Sequence, residues 1–280
     1  MQEEVGVVTH PNGVLPADAP RRRLILMRHG DVAYFDDGGR PLPPNDVPLS
    51  ARGRVEARAA GKRLADAGIP FDRVIVSGLP RTVETAALVC AVAGRTPPVH
   101  VQPDLQEIRA GRLDAIPGEA LPAAFLGAFD GGPNDACTGA EAAERRFFGG
   151  ERVGDFIGRV VPAFQAILHD ASWQCLLLVL HGGVNRVILT WLIDGRARLA
   201  SGLEQDSGCI NMVDVSSDGS PAVVRLLNFS PLDPLQTSTR QTTMERLLTQ
   251  YLRHRRAARF SEGGGAARSD VAAAVPVTET

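Results

Sequence analysis

The sequence predicts an α/β protein of three layers, α/β/α, with a mostly parallel central sheet and an inserted lid segment. Three observations lead there. Six short runs rich in Leu, Ile and Val lack the polar alternation of a half-solvated strand, so they read as strands covered on both faces. Between several of them lie patterns long enough for helices, each with a start or stop signal of its own. The two kinds of segment alternate, which is the β-α-β rhythm of a sheet with helices on both sides.

The first strand is Arg23 to Met27, inside the stretch LILMRHG. Ser50 then caps a helix through ARGRVEARAAGKRLADAG, which Gly68 stops. After a second strand, Arg73 to Val76, Pro80 suits the first turn of a helix RTVETAALVCAVAG that Gly94 ends. A third strand spans Val99 to Gln102. ERVGDFIGRVVPAFQAILHD reads as a helix that Pro162 is expected to kink. The strand Cys175 to Leu180 follows, then the helix GVNRVILTWLIDG, then the strands Ile210 to Val215 and Val223 to Asn228. A last helix, basic at its end, is assigned to 236–260. Its HRR cluster reads as a solvated end that compensates the helix dipole rather than as a nucleic-acid patch.

The expected organisation is an N-terminal extension over 1–21, one domain over 22–235, that C-terminal helix, and a disordered tail over 261–280. Within the domain, residues 109–150 are rich in Gly, Ala and Phe and lack a clear period, so they are expected to form the lid over the site. A chain of 280 residues that is 44% hydrophobic has the material for one substantial core. Its formal net charge of -2 at pH 7 gives no general pull toward nucleic acid or membrane, so an anion site must be a local cluster of arginines. Cys90, Cys137, Cys175 and Cys209 lie far apart without metal-ligand spacing, which suits a reduced interior. No uncharged apolar run reaches the roughly 18 residues of a membrane span. The expectation is therefore a cytoplasmic protein with no metal, no cofactor and no nucleic-acid or membrane partner. A homodimer is the one oligomer considered.

In sheets of this kind ligands collect at the carboxyl ends of the strands. Arg28 and His29 end the first strand, Arg81 begins the helix after the second, and His181 follows the strand CLLLVL. A cation in the first turn of a helix faces the positive end of the dipole, at a cost of about 0.3 to 1 kcal/mol, unless an anion binds there too. The plainer alternative pairs Arg81 with Glu84. An arginine and a histidine at a buried strand end, followed by a glycine that permits close backbone approach, resemble a nucleophile beside an anion receptor. For His181 the plainer alternative is a helix cap.

Four motifs, in order, carry a specific resemblance: LMRHG at 26–30, PLSARGRVEA at 48–57, SGLPRTVET at 77–85 and LHGGVNRVIL at 180–189. LQEIRAGRLD at 105–114 and GERVGDFIGRV at 150–160 are weaker matches. With them the chain resembles the histidine phosphatase superfamily, which contains cofactor-dependent phosphoglycerate mutases and many phosphomonoesterases, over about residues 22–230. The resemblance implies that His29 is the nucleophile that becomes phosphorylated. Arg28, Arg81 and His181 would surround the phosphoryl group, and Glu107 would donate a proton to the leaving oxygen and then activate water. These roles suit the chemistry, because two guanidiniums can hold the oxygens of a dianionic ester and an attacking imidazole must be neutral. For Glu107 the alternative is a surface acid paired with Arg109 or Arg112.

The chain departs from the family after Gly30, where Asp31, Val32, Ala33, Tyr34 and Phe35 replace polar residues, and at Leu180, where a serine is usual. These departures leave the phosphotransfer core but put the substrate in doubt. Tyr34, Phe35, Phe125, Phe147 and Phe148 either rim the site for a leaving group less polar than glycerate or simply pack the lid. A phosphomonoesterase acting on a small phosphorylated metabolite is expected first. A phosphoglycerate mutase and a non-catalytic phosphate binder are the alternatives.

Overall fold

The computed structural model of the protein describes residues 21–34, 36, 42–43, 45–129, 140–216, 222–238 and 240–265. The extension assigned to 1–21 lies outside them except for Arg21, which begins the first strand, and so do Cys137, Phe35 and the tail beyond Gly265. Among the described residues six strands form one sheet: β1 (Arg21–Arg28), β2 (Arg73–Val76), β3 (Val99–Val101), β4 (Cys175–Leu180), β5 (Ile210–Ser216) and β6 (Val223–Phe229). Their order is β3-β2-β4-β1-β5-β6, and only β5 runs against its neighbours. The sheet is thus mostly parallel, as the β-α-β rhythm requires.

Successive side chains of β1 point to opposite faces, and each face meets its own helices. Ile25 and Met27 pack with Ala60 and Leu64 of α1 (Ala51–Asp66) and with Ala86 and Val89 of α2 (Pro80–Ala93). Leu24 and Leu26 pack with Phe156, Val160 and Phe164 of α5 (Val153–His169) and with Val184 and Ile188 of α6 (Gly182–Asp194). Leu24 to Met27 and Leu176 to Leu180 are fully buried, which explains their uninterrupted apolar character. The expectation of two covered faces fails at the margins. β3 is exposed throughout and β6 in part, because they are the two edge strands with little to pack against.

The caps act as expected. Ser50 accepts from the Gly53 N–H at the start of α1, and Gly94 closes α2 in the left-handed conformation. Helix α5 runs unbroken through Pro162, since packing of its apolar face against the sheet outweighs the lost hydrogen bond. Among the described residues between Arg109 and Gly150 lie two short α-helices, α3 (Leu121–Leu126) and α4 (Ala140–Glu144), and two 3-10 turns, Leu113–Ala115 and Phe147–Gly149.

The last helix, α7 (Thr243–Gly265), starts later and ends later than 236–260. Thr242 is its start signal: its N–H bonds the Glu245 carboxylate at 2.7 Å and its hydroxyl accepts from the Glu245 N–H at 3.2 Å. Residues 237 and 238 instead donate to the Asp233 carboxylate in a turn. The disordered tail assigned to 261–280 is corrected in its first five residues, which continue α7. Tyr251 of α7 packs on Phe125 of α3. Among the described residues no helix is long and apolar enough to cross a membrane.

Candidate active site

The register of the two central strands builds the site. Arg28 of β1 lies opposite Leu180 of β4, so the next residues, His29 and His181, leave the sheet side by side. The His29 N–H bonds the Leu180 carbonyl at 3.0 Å, and the two rings stand edge to face with centroids 5.2 Å apart. Gly30 lies so close to the Gly53 backbone of α1 that any Cβ would collide with it. Its N–H is held by the Thr85 hydroxyl at 3.1 Å.

The His29 Nδ1 lies 2.7 Å from the Gly30 carbonyl oxygen. A carbonyl only accepts, so Nδ1 carries the proton and the Nε2 lone pair is free. His29 is 2% exposed, and burial, with Arg81 and Arg28 nearby, holds its pKa well below the usual histidine range. His181 is fully buried and its pKa is likewise held well down, by burial first and then by Arg81, His29 and Arg28. It begins α6 but makes no side-chain cap; its Nε2 meets the Ser77 hydroxyl at 2.8 Å instead.

Two buried neutral histidines have a measurable consequence. Below a pH of about 6.5 the unfolded chain takes up protons that the folded chain refuses, so stability should fall as pH falls from there toward the lowered folded values. Denaturant titrations in phosphate-free buffer should show at most about 2.7 kcal/mol lost per pH unit for the two groups. A His29→Gln, His181→Gln double variant should show a much flatter dependence.

Arg28 and Arg81 are 9% and 4% exposed and come from different elements. Arg28 Nη1 donates to the Gln205 carbonyl at 2.7 Å and to the Thr243 hydroxyl at 3.1 Å, while its Nε has no hydrogen-bond partner. The carboxylate of Glu84, the plainer partner for Arg81, accepts from Arg54 at 2.6 Å and from the Leu49 N–H. Glu107 lies on the loop after β3. Its two oxygens accept from the Gly183 and Ile108 N–H groups, each at 3.0 Å, which sets the carboxylate on the first turn of α6 beside His181. The two arginines considered for it are engaged elsewhere: Arg112 pairs with Asp114, and the Arg109 N–H bonds Glu151. A Cβ at position 183 would lie 2.5 Å from Glu107 Oε1, so this approach needs glycine. Arg159 holds the loop from behind by donating to the Gln106 and Glu107 carbonyls.

Arg28, Arg81 and Glu107 line one cavity of about 1140 Å³. Sequence reasoning missed Arg186, which lines the same cavity. It is 2% exposed, pairs with Glu204 at 3.0 Å and lies 4.4 Å from the centre of the Phe129 ring. A charged residue within the apolar pattern of LHGGVNRVIL was the available signal. Thr243 was also missed, because nothing in a C-terminal helix pattern says where its first turn docks. Of the aromatic set, Tyr34, Phe147 and Phe148 line the cavity, whereas Phe125 is buried between α3 and α7. The residues after Gly30 have structural employment: the Asp31 carboxylate accepts from Ser50 at 2.6 Å, and Val32 bridges to Leu49.

Fold and site together define an α/β protein with two buried arginines and paired histidines at the carboxyl edge of its sheet. The chain belongs to the histidine phosphatase superfamily (branch 1), whose family model matches residues 24–228. It is 31% identical over 193 residues to the 2,3-bisphosphoglycerate-dependent phosphoglycerate mutase of Gloeothece citriformis, covering 60% of this chain and 82% of that one. Among solved structures it is similar to the alpha-ribazole phosphatase of Shigella flexneri, at 26% identity and a TM-score of 0.53 over 74% of this chain and 96% of that one. A mycobacterial glucosyl-3-phosphoglycerate phosphatase shares the fold, at 21% identity and a TM-score of 0.56 over 75% and 98% of the two chains.

Proposed function

We propose that the protein is a phosphomonoesterase that hydrolyses a small phosphorylated metabolite through a phosphohistidine on His29. The observation that carries this reading is the Nδ1 bond to the Gly30 carbonyl, which fixes the tautomer and leaves Nε2 as a neutral nucleophile among cations. Arg28 and Arg81 hold the phosphoryl oxygens, and His181 supports them as charge spreads over the equatorial positions. Nε2 attacks phosphorus and the P–O ester bond breaks. The leaving oxygen takes its electron pair together with a proton from Glu107. Water then attacks the phosphohistidine, Glu107 takes its proton, and the P–N pair returns to Nε2 with release of inorganic phosphate. The guanidiniums supply the positive charge that a metal would otherwise bring, so the reaction is metal-independent.

A mutase is the second reading, favoured by the mutases among the curated relatives. The two differ in the acceptor. A mutase must keep phosphohistidine dry and pass its phosphoryl group to a second hydroxyl, whereas a hydrolase admits water. Here the segment after Gly30 offers Asp31, Val32 and Tyr34 to the cavity, an acid and two less polar side chains where the anionic glycerate would need donors. Phosphorus NMR of enzyme in excess EDTA with 3-phosphoglycerate and a trace of 2,3-bisphosphoglycerate separates them. Inorganic phosphate is the expected product, inhibited by vanadate as a mimic of the five-coordinate state. Rapid formation of 2-phosphoglycerate without comparable phosphate establishes the mutase, and activity restored only by a divalent cation overturns metal independence.

A further inference from the structure

We propose that Ser77 and Thr82 are positioning residues that determine which nitrogen of His181 carries its proton. Ser77 follows β2, and Thr82 is the third residue of α2. The Thr82 hydroxyl lies 2.8 Å from the Leu79 carbonyl oxygen, which only accepts, so its single hydrogen is spent there. The contact of 3.1 Å between the two hydroxyls must then use the hydrogen of Ser77. With that hydrogen committed, the Ser77 oxygen can only accept from His181 Nε2 at 2.8 Å. It also accepts from the Leu79 N–H, at 3.4 Å. All four bonds form together in one arrangement only: Nε2–H to Ser77, Ser77 to Thr82, Thr82 to Leu79. All the side chains in the chain of bonds are fully buried, so no solvent molecule relaxes the constraint.

His181 Nδ1 is then the basic nitrogen, and it is buried without a hydrogen-bond partner. Around this ring stand the neutral His29 and three cations, Arg28 from the end of β1, Arg81 from α2 and Arg159 from α5, with the Glu107 carboxylate held two residues along at the Gly183 N–H. These cations oppose a proton on Nδ1 until an anion enters. On the phosphotransfer reading above, a phosphate monoanion resolves the conflict by bringing its own proton. Its O–H bond breaks, an N–H bond forms at Nδ1, and the resulting dianion is held by the imidazolium and the guanidiniums. The tautomer itself does not depend on that reading.

Long-range proton–nitrogen correlation NMR on histidine-labelled enzyme at about pH 8, well above the ordinary histidine pKa, reads the tautomer directly. His181 is assigned by the signals lost in His181→Gln. A single Nε2–H tautomer is expected, and an Nδ1–H tautomer overturns the proposal. Thr82→Val frees the Ser77 hydrogen to donate to Nε2, so both tautomers should appear. kcat/KM should fall about 2- to 10-fold, because only the Nε2–H fraction remains competent. Thr82→Ser should restore both readouts, and an unchanged Nε2–H tautomer in Thr82→Val overturns the relay. Saturating inorganic phosphate is expected to make the ring doubly protonated; a ring that stays neutral overturns the proton transfer. The tautomer is read without any ester being hydrolysed, so its failure is distinguishable from failure of the phosphatase reading.

Discussion

Replacing His29 with alanine is expected to lower turnover by about 10⁵-fold or more, because the residue that forms the covalent bond cannot be substituted by the remaining charges of the site. The arginines would still bind a phosphomonoester, so affinity for inorganic phosphate or vanadate should survive while chemistry is lost. Removal of a buried neutral imidazole leaves the apolar layers of β1 and β4 intact, so the variant should fold. Wild-type enzyme quenched during turnover of a phosphorus-labelled ester should carry an acid-labile, base-stable label on His29. A labelled adduct in the alanine variant, or activity within tenfold of wild type, would sink the assignment.

Glu107→Gln is expected to divide substrates by leaving group. An alkyl phosphate expels an alkoxide that must be protonated as it leaves, so its rate should fall about 10²- to 10⁴-fold. p-Nitrophenyl phosphate expels a stable phenolate and should lose less than about tenfold. Glutamine keeps the shape of the side chain but offers one acceptor where the carboxylate offers two to Gly183 and Ile108. Some structural cost, on the order of 1 kcal/mol for the lost bond, is therefore built in. The contrast between the two esters cancels it. Equal losses for both would mean that Glu107 only holds the start of α6.

Much of the architecture was legible because the central strands are buried on both faces and the helices carry their own caps. Ser50, Pro80 and Gly94 mark α1 and α2 through local chemistry, which a sequence displays. His29 and His181 could be placed together because a parallel sheet gathers strand ends at one edge. What could not be read was set by distant neighbours. Arg81 seemed suited to Glu84, three residues along, yet Arg54 from another helix holds that carboxylate. Pro162 removes a hydrogen bond from inside α5, but the packed sheet kept the helix going. The exposure of β3 follows from its place at the edge, which no local pattern reports. Thr243 and Ser77 acquire meaning only from what they touch.

The pairing of β1 with β4 runs without interruption over six residues, whereas β5 and β6 pair with two shifts of register. The sheet therefore has slack at one margin and none at its centre. A single inserted residue in β6 would be absorbed as another bulge. The same insertion in β1 or β4 would move one histidine about 3.3 Å along the strand relative to the other and turn every following side chain to the opposite layer. The central pair thus works as a ruler as well as a scaffold, and its length is held by chemistry at the strand ends even where the hydrophobic layers would accept another. Insertions and deletions among descendants of this chain should accumulate in β6, the edge β3 and the 109–150 segment, and stay out of β1 and β4.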